Sequence, residues 1–102
     1  MADQYKDLEL VNNIEDQRFE LQVEGETAFI EYRPASDHYT LIHTEVPESL
    51  GGKGVGTAII EKALYYLEQH QLKLIPLCPF VLVYLKRHPE WKRILAPGVK
   101  NI

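Results

Sequence analysis

The first half of the chain alternates apolar and polar residues in short segments, a pattern typical of strands with one buried face. Residues 19–23 alternate strictly, and residues 24–26 then predict a tight hairpin turn around Gly25. A second turn at residues 36–37 precedes the last alternating segment, which ends at Pro47. The predicted strands are residues 8–11, 19–23, 27–33 and 39–46. They predict an antiparallel meander.

After Pro47 the apolar residues recur at helical spacing, which predicts an amphipathic helix through residue 70. The apolar positions are Val55, Ile59, Ile60, Ala63, Leu64 and Leu67. An apolar strand over residues 72–77 follows, and the intervening helix is the crossover that a parallel strand pair requires. A second helix begins with Cys78 as its cap and Pro79 in its first turn, and ends by His88. The fold class predicted is α+β with a mixed sheet.

The composition is that of an ordinary globular domain. The chain has 102 residues, of which 45% are hydrophobic and 25% charged, so residues 1–102 are expected to form one domain. Disordered, collagen-like and coiled-coil classes are excluded. Weak order is expected only for residues 1–6 and for the tail after Pro97.

A single cysteine, Cys78, cannot form an intrachain disulfide, and the N-terminal residues do not resemble a signal peptide. The longest uncharged apolar stretch, residues 74–85, contains two prolines and falls well short of the roughly 20 residues of a spanning helix. A cytoplasmic location without membrane contact is expected.

Charge is distributed unevenly around a net value of −4. Residues 1–50 carry 12 acidic and 3 basic side chains, whereas residues 51–102 carry 3 acidic and 8 basic ones. The overall acidity argues against a nucleic-acid partner. The basic second half could bind an anion. The acidic first half fits a cationic acceptor such as a polyamine or a lysine-rich peptide, and equally a plain solvated surface.

A glycine-rich loop at residues 51–56 lies between the fourth strand and the first helix. Successive glycines there allow backbone N–H groups to face an anion at the positive helix end, although they could merely form a tight turn. Lys53 is followed by Gly54 and not by Ser or Thr, which excludes a Walker A loop. Ile59 replaces the third small residue of a dinucleotide fingerprint, which argues against NAD.

Residues 46–57 resemble the acetyl-coenzyme A loop of the GNAT N-acetyltransferase superfamily. Gly54 and Gly56 match its glycines, whereas Gly51 stands where the superfamily usually has Arg or Gln. The chain is most similar to very small GNAT-like proteins of about this length. The shared motifs are His43-Thr44-Glu45-Val46-Pro47, Cys78-Pro79-Phe80-Val81 and His88-Pro89-Glu90-Trp91. The resemblance covers roughly residues 15–95.

This resemblance implies a minimal GNAT-like fold that binds acetyl-coenzyme A (acetyl-CoA) and transfers acetyl to a small-molecule or peptide amine. It also implies that main-chain groups at residues 44–46 lie beside the thioester. Lysine and arginine side chains of the basic half are candidates for contact with the phosphates of coenzyme A (CoA). The candidate cofactor-binding residues are Thr44, Val46, Gly51, Gly52, Lys53, Gly54, Val55, Gly56, Thr57, Lys86 and Arg87.

Four side chains are candidates for catalysis. His43 and Glu45 lie two apart on one strand, so they share a face and either could be the general base. Cys78 stands at a helix start that favours a thiolate and could form an acyl intermediate, with His43 as its activating partner if the two are close. By resemblance, Tyr84 is a candidate to protonate the leaving thiolate. The first three also have a structural interpretation: His43 as a core histidine, Glu45 as a solvated glutamate and Cys78 as a small buried thiol.

The sequence leaves open whether acetyl transfer is direct or passes through Cys78. It also leaves two non-enzymatic alternatives. The chain has no room for the two helices that larger GNAT enzymes place between their first strands, which is compatible with a non-catalytic CoA-binding module. A cofactor-free interaction domain is the third hypothesis.

Overall fold

The computed structural model describes residues 3–99, which form a mixed five-stranded sheet, two α-helices and three short 3₁₀ helices. The strands lie in the order β1-β2-β3-β4-β5, so each neighbours its predecessor in the chain. The strands are β1 (Val11–Asn13), β2 (Arg18–Val23), β3 (Glu26–Pro34), β4 (His38–Glu45) and β5 (Lys73–Pro76). The helices are α1 (Val55–Gln69) and α2 (Pro79–Arg87). This architecture confirms the predicted α+β class with a mixed sheet.

The hairpin between β2 and β3 fixes the register of the antiparallel half. Glu24 and Gly25 both have positive φ, 53° and 79°, as a two-residue type I′ turn requires. The resulting register pairs Leu21 with Ala28 and Phe19 with Ile30, all four of them fully buried. The alternation seen in the sequence therefore selects the face that enters the core.

α1 covers one face of the sheet. Ile59, Ile60 and Leu64 are fully buried, and the Tyr66 ring packs edge-on against Phe19 of β2, with ring centroids 5.0 Å apart. Each large apolar side chain buried in this way contributes about 1.5–3 kcal/mol to folding. Since α1 connects β4 to β5 across this face, those two strands pair in parallel, as predicted.

The opposite face of the sheet carries part-exposed side chains. Glu31 pairs with His43 and Phe29 with Glu45 across β3 and β4. Thr44, between His43 and Glu45, pairs instead with the buried Ile30 and therefore points to the α1 side of the sheet.

α2 begins where the sequence predicted. Cys78 has an extended backbone at the N-cap position, and Pro79 occupies the first turn. The helix ends before Pro89, and the 3₁₀ helix Pro89–Ile94 follows it. Trp91 in that segment is 4% exposed and packs edge-on against Tyr65 of α1, so it anchors the C-terminal segment to the core.

Two expectations for the N-terminal part were wrong. The first strand lies at residues 11–13 and not at 8–11, because the Asn12 amide hydrogen-bonds Tyr32 and Tyr66 and so fixes this segment against the core. Residues 3–5 form a 3₁₀ helix with a buried Tyr5, where weak order was expected. Residues 1–2 and 100–102, to which that expectation also applied, lie outside the described residues.

Neither helix of residues 3–99 is long and apolar enough to cross a bilayer.

Candidate active site

The sheet opens between β4 and β5. Their parallel ladder runs from His38 opposite Lys73 to Leu41 opposite Pro76 and ends there. Beyond it the chain of β5 turns away into α2, with the N–H groups of Leu77 and Cys78 both donating to the Leu41 carbonyl. Residues 43–45 of β4 continue and pair only with β3. The edge of β4 at these residues is therefore not paired with β5.

The glycine-rich loop lies beside this opening and ends in the first turn of α1. Gly54 is the N-cap residue of α1 in the left-handed conformation (φ 80°), and Gly52 has φ 74°. Gly54 supplies no side-chain cap, and the first helical hydrogen bond runs from the Ala58 N–H to the Gly54 carbonyl at 3.0 Å. The N–H groups of residues 55–57 are thus left without helical partners, which makes this turn suited to an anion.

A cleft of about 310 Å³ follows the loop. Its lining residues are Val46, Leu50, Gly51, Gly52, Gly54, Val55, Gly56, Thr57 and Phe80. Seven of these were among the predicted cofactor-binding residues. One wall is the Phe80 ring, which packs on Gly56 so closely that a Cβ there would lie 2.8 Å from the Phe80 Cζ. The first turns of α1 and α2 therefore meet at the cleft.

Cys78 and Thr44 join the start of α2 to the open end of β4. The Cys78 Sγ lies 3.2 Å from the Thr44 Oγ1, and the cysteine is only 2% exposed. The imidazole of His43 does not reach this thiol, because strand alternation directs it to the opposite face of the sheet. The condition under which His43 could activate Cys78, that the two lie close together, is therefore not met.

His43 and Glu45 form a pair on the open face of the sheet. The His43 Nε2 lies 3.5 Å from the Glu45 Oε1, and both side chains are more than half exposed. The Phe29 ring flanks His43, with ring centroids 6.2 Å apart. The two predicted candidates for the general base do share a face, and His43 is not the core histidine of the structural interpretation.

Tyr84 is buried and hydrogen-bonded to α1. Its hydroxyl donates to the Glu61 Oε2 of α1 at 2.9 Å in a buried contact. Burial first, and then the Glu61 carboxylate, raise the pKa of Tyr84 well above its usual value. The hydroxyl thus links α2 to α1.

The three basic side chains predicted to contact the phosphates of CoA differ in their surroundings. The Lys53 Nζ lies 3.4 Å from the Glu24 Oε1, and both side chains are largely exposed, so this pair is weak. Arg87 borders a hollow of about 70 Å³ that shares Thr57 and Phe80 with the cleft. Lys86 is exposed in the last turn of α2 and borders neither space.

Leu50 and Phe80 line the cleft without having been predicted. Phe80 carried a usable signal, because it falls outside the stripe of Val81, Tyr84 and Leu85 that α2 buries and is 49% exposed. A large aromatic residue on the solvent side of an amphipathic helix, next to a predicted site, is a candidate wall of that site. Leu50 is buried like an ordinary core residue, so the sequence carries no signal that sets it apart as a cleft residue.

Comparison with known proteins agrees with this geometry. The sequence profile of the GCN5-related N-acetyl-transferase family matches residues 18–94, which include β2 to β5, the glycine-rich loop and both helices. In fold, the chain is similar to the NMR solution structure of a GCN5-like protein from Staphylococcus aureus, with a TM-score of 0.66 and 24% sequence identity. The match covers 94% of each chain. The chain thus belongs to the GCN5-related N-acetyltransferase family and is an acetyltransferase.

Proposed function

We propose that this acetyltransferase takes its acetyl group from acetyl-CoA and transfers it directly to an amine. The opening of β4 from β5 beside the uncapped first turn of α1 carries the proposal. The uncapped helix turn suits the diphosphate of acetyl-CoA. The apolar cleft beside it suits the pantetheine arm, and the exposed edge of β4 suits the thioester.

The binding residues divide by chemistry. The N–H groups of residues 54–57 would hold the diphosphate, since the positive helix end and the uncapped donors both favour negative charge. The walls formed by Val46, Leu50 and Phe80 are apolar and suit the pantetheine chain. Lys53 would exchange its weak exposed partner Glu24 for a phosphate, and Arg87 stands next to the cleft for a further one.

The strand edge at residues 44–46 would act on the thioester. Attack on the carbonyl carbon places negative charge on the carbonyl oxygen, and a backbone N–H fixed in a strand is already oriented to stabilise it. Thr44 and Val46 therefore contribute through their main chain, and the identity of their side chains matters little.

The pair His43 and Glu45 would accept the proton of the incoming amine. Both lie at the open end of β4 on the uncovered face, where an acceptor has access. The amine nitrogen forms its bond to the acetyl carbon while the carbon–sulfur bond of the thioester breaks. The amine proton goes to the pair, and the released thiolate takes a proton from solvent.

The route through Cys78 differs by one covalent step. In that route the Cys78 sulfur would bond to the acetyl carbon, expel the CoA thiolate and then lose the acetyl group to the amine. Direct transfer is favoured because the thiol is nearly inaccessible and its neighbour is a neutral hydroxyl, with no imidazole or carboxylate hydrogen-bonded to it among residues 3–99.

Turnover of acetyl-CoA with a panel of amines tests the proposal. Release of the CoA thiol is followed with a polyamine, a lysine peptide and a neutral primary amine. The His43→Ala/Glu45→Gln double variant is expected to lose about a hundredfold in kcat and to keep its unfolding midpoint, because both side chains are exposed. His38→Ala, at the other end of β4, is the matched control. Absence of turnover with every amine, or full activity of the double variant, would refute the proposal.

A further inference from the structure

The N-terminal segment holds the glycine-rich loop by a single carbonyl group. The Tyr5 hydroxyl donates to the Lys53 carbonyl oxygen at 2.8 Å, and the Gln4 Nε2 donates to the same oxygen at 3.1 Å. Tyr5 is 7% exposed, so its ring is packed in the core while its hydroxyl reaches the loop. Two side chains nearly fifty residues away in sequence thus fix one peptide group of the loop.

This contact determines where the next N–H points. The peptide bond is planar and trans, so the Lys53 carbonyl and the Gly54 N–H point in opposite directions. Tyr5, Gln4 and Lys53 border a hollow on one side of the loop, whereas Gly54 borders the Phe80 cleft and not this hollow. A carbonyl held by Tyr5 therefore directs the Gly54 N–H away from that hollow.

The loop needs such a restraint because a glycine, Gly54, lies on one side of this peptide. Gly54 adopts positive φ and lacks a Cβ, so rotation of the Lys53–Gly54 peptide meets little steric resistance on that side. The opposite orientation would turn the carbonyl oxygen toward the diphosphate and repel it. Within the described residues, Tyr5 and Gln4 supply the side-chain hydrogen bonds to this carbonyl.

We infer that Tyr5 is a positioning residue for the diphosphate of CoA, acting through the Lys53 carbonyl on the Gly54 N–H. This inference rests on the proposed function. It extends the binding site to the N-terminal segment, outside the matched residues 18–94. Gln4 contributes to the same restraint from an exposed position.

NMR titration of the Tyr5→Phe variant tests the inference with two ligands. CoA carries the diphosphate and pantetheine does not, and NMR follows weak binding as well as tight binding. Loss of the hydroxyl is expected to raise the Kd for CoA about five- to tenfold and to leave the Kd for pantetheine unchanged. A general structural defect would weaken both ligands alike.

Tyr66→Phe is the matched control, because the Tyr66 hydroxyl also makes a part-buried long-range hydrogen bond, to Asn12, away from the loop. Gln4→Ala is the second variant and is expected to weaken CoA binding about twofold without affecting folding, since this contact is exposed. An unchanged ratio of the two Kd values in Tyr5→Phe would overturn the inference. Failure of the unaltered protein to bind CoA would instead refute the proposed function.

Discussion

The Phe80 ring lies against the backbone of Gly56, with its Cζ only 2.8 Å from the position that a Cβ on this glycine would occupy. One residue is in the first turn of α1 and the other in the first turn of α2. The close approach of the two helix starts, and with it the shape of the cleft, therefore depends on the absence of a side chain at position 56.

Gly56→Ala is expected to reduce acetyl-CoA binding without destabilising the fold. The added methyl group must displace the Phe80 ring, which can move because it is half exposed. Alanine also favours the helix over glycine by up to about 1 kcal/mol. Calorimetric titration should show at least about tenfold weaker binding with an unfolding midpoint equal to or above that of the unaltered protein.

The Gly56→Ala/Phe80→Leu double variant is the control, because the smaller side chain restores room for the methyl group. It should bind acetyl-CoA more tightly than Gly56→Ala alone. Unchanged binding by the single variant would mean that the ligand does not use this part of the cleft.

The choice of residue at position 54 is limited by backbone conformation and not by the space available for a side chain. A Cβ on Gly54 would meet no atom within 4 Å, but its φ of 80° is unfavourable for residues with a side chain. Gly54→Ala should lower the free energy of unfolding by about 1–2 kcal/mol. Gly54→Asn should be less destabilising, because asparagine tolerates this conformation and caps helices. Urea denaturation compares the two variants, and equal losses would contradict this explanation.

The helix α1 and the turn at Gly25 illustrate what the sequence determines by itself. α1 was predicted for residues 55–70 and spans Val55–Gln69, because its apolar stripe and the glycines before it are local signals. The hairpin is equally local, since two adjacent residues with positive φ define it. The glycine-rich loop was located for the same reason.

Contacts between distant residues account for the errors. The position of β1 depends on two hydrogen bonds of Asn12, which accepts from the Tyr32 hydroxyl and donates to the Tyr66 hydroxyl. The order of Tyr5 depends on the Lys53 carbonyl. Spacing within one segment carries no information about such partners. The distance between His43 and Cys78, which the sequence left open, likewise depends on distant residues, because the path of the chain after β5 sets the face that Cys78 approaches.

Cys78→Ser is expected to retain most of the acetyltransferase activity. The serine hydroxyl can keep the hydrogen bond to Thr44, and direct transfer needs no thiol. Intact-mass spectrometry of the unaltered protein with acetyl-CoA and no amine should detect no acetylated Cys78. Thr44→Val, which removes the hydroxyl partner and keeps the shape, serves as the control. An acetylated Cys78 together with an inactive serine variant would establish the route through the thiol.

Alkaline pH should destabilise the protein through its buried tyrosines. Burial first, and then the nearby Tyr39, raise the pKa of Tyr32 to about 12, and burial raises the pKa of Tyr84 as well. An unfolded tyrosine has a pKa of about 10. The folded state therefore holds these protons more tightly, so the stabilisation is complete below about pH 10 and is lost as pH rises through the folded pKa values.

Urea denaturation at pH values from about 8 to 12 measures this decline. In Tyr32→Phe, the free energy of unfolding should fall less steeply between pH 10 and 12 than in the unaltered protein. Tyr65→Phe, at an exposed position of α1, should leave the slope unchanged. An identical slope in all three proteins would show that Tyr32 is not responsible.

The most direct test of acetyl-CoA binding at the glycine-rich loop is thermal unfolding with and without the ligand. At about one hundred times its Kd, acetyl-CoA adds roughly 2.7 kcal/mol to the native state. Each kcal/mol raises the midpoint of a domain this size by about 4–8 °C. We predict a rise of at least about 10 °C in the unaltered protein and in Cys78→Ser, and a smaller one in Gly56→Ala. No rise in any of them would contradict the account and reduce the loop at residues 51–56 to a structural turn.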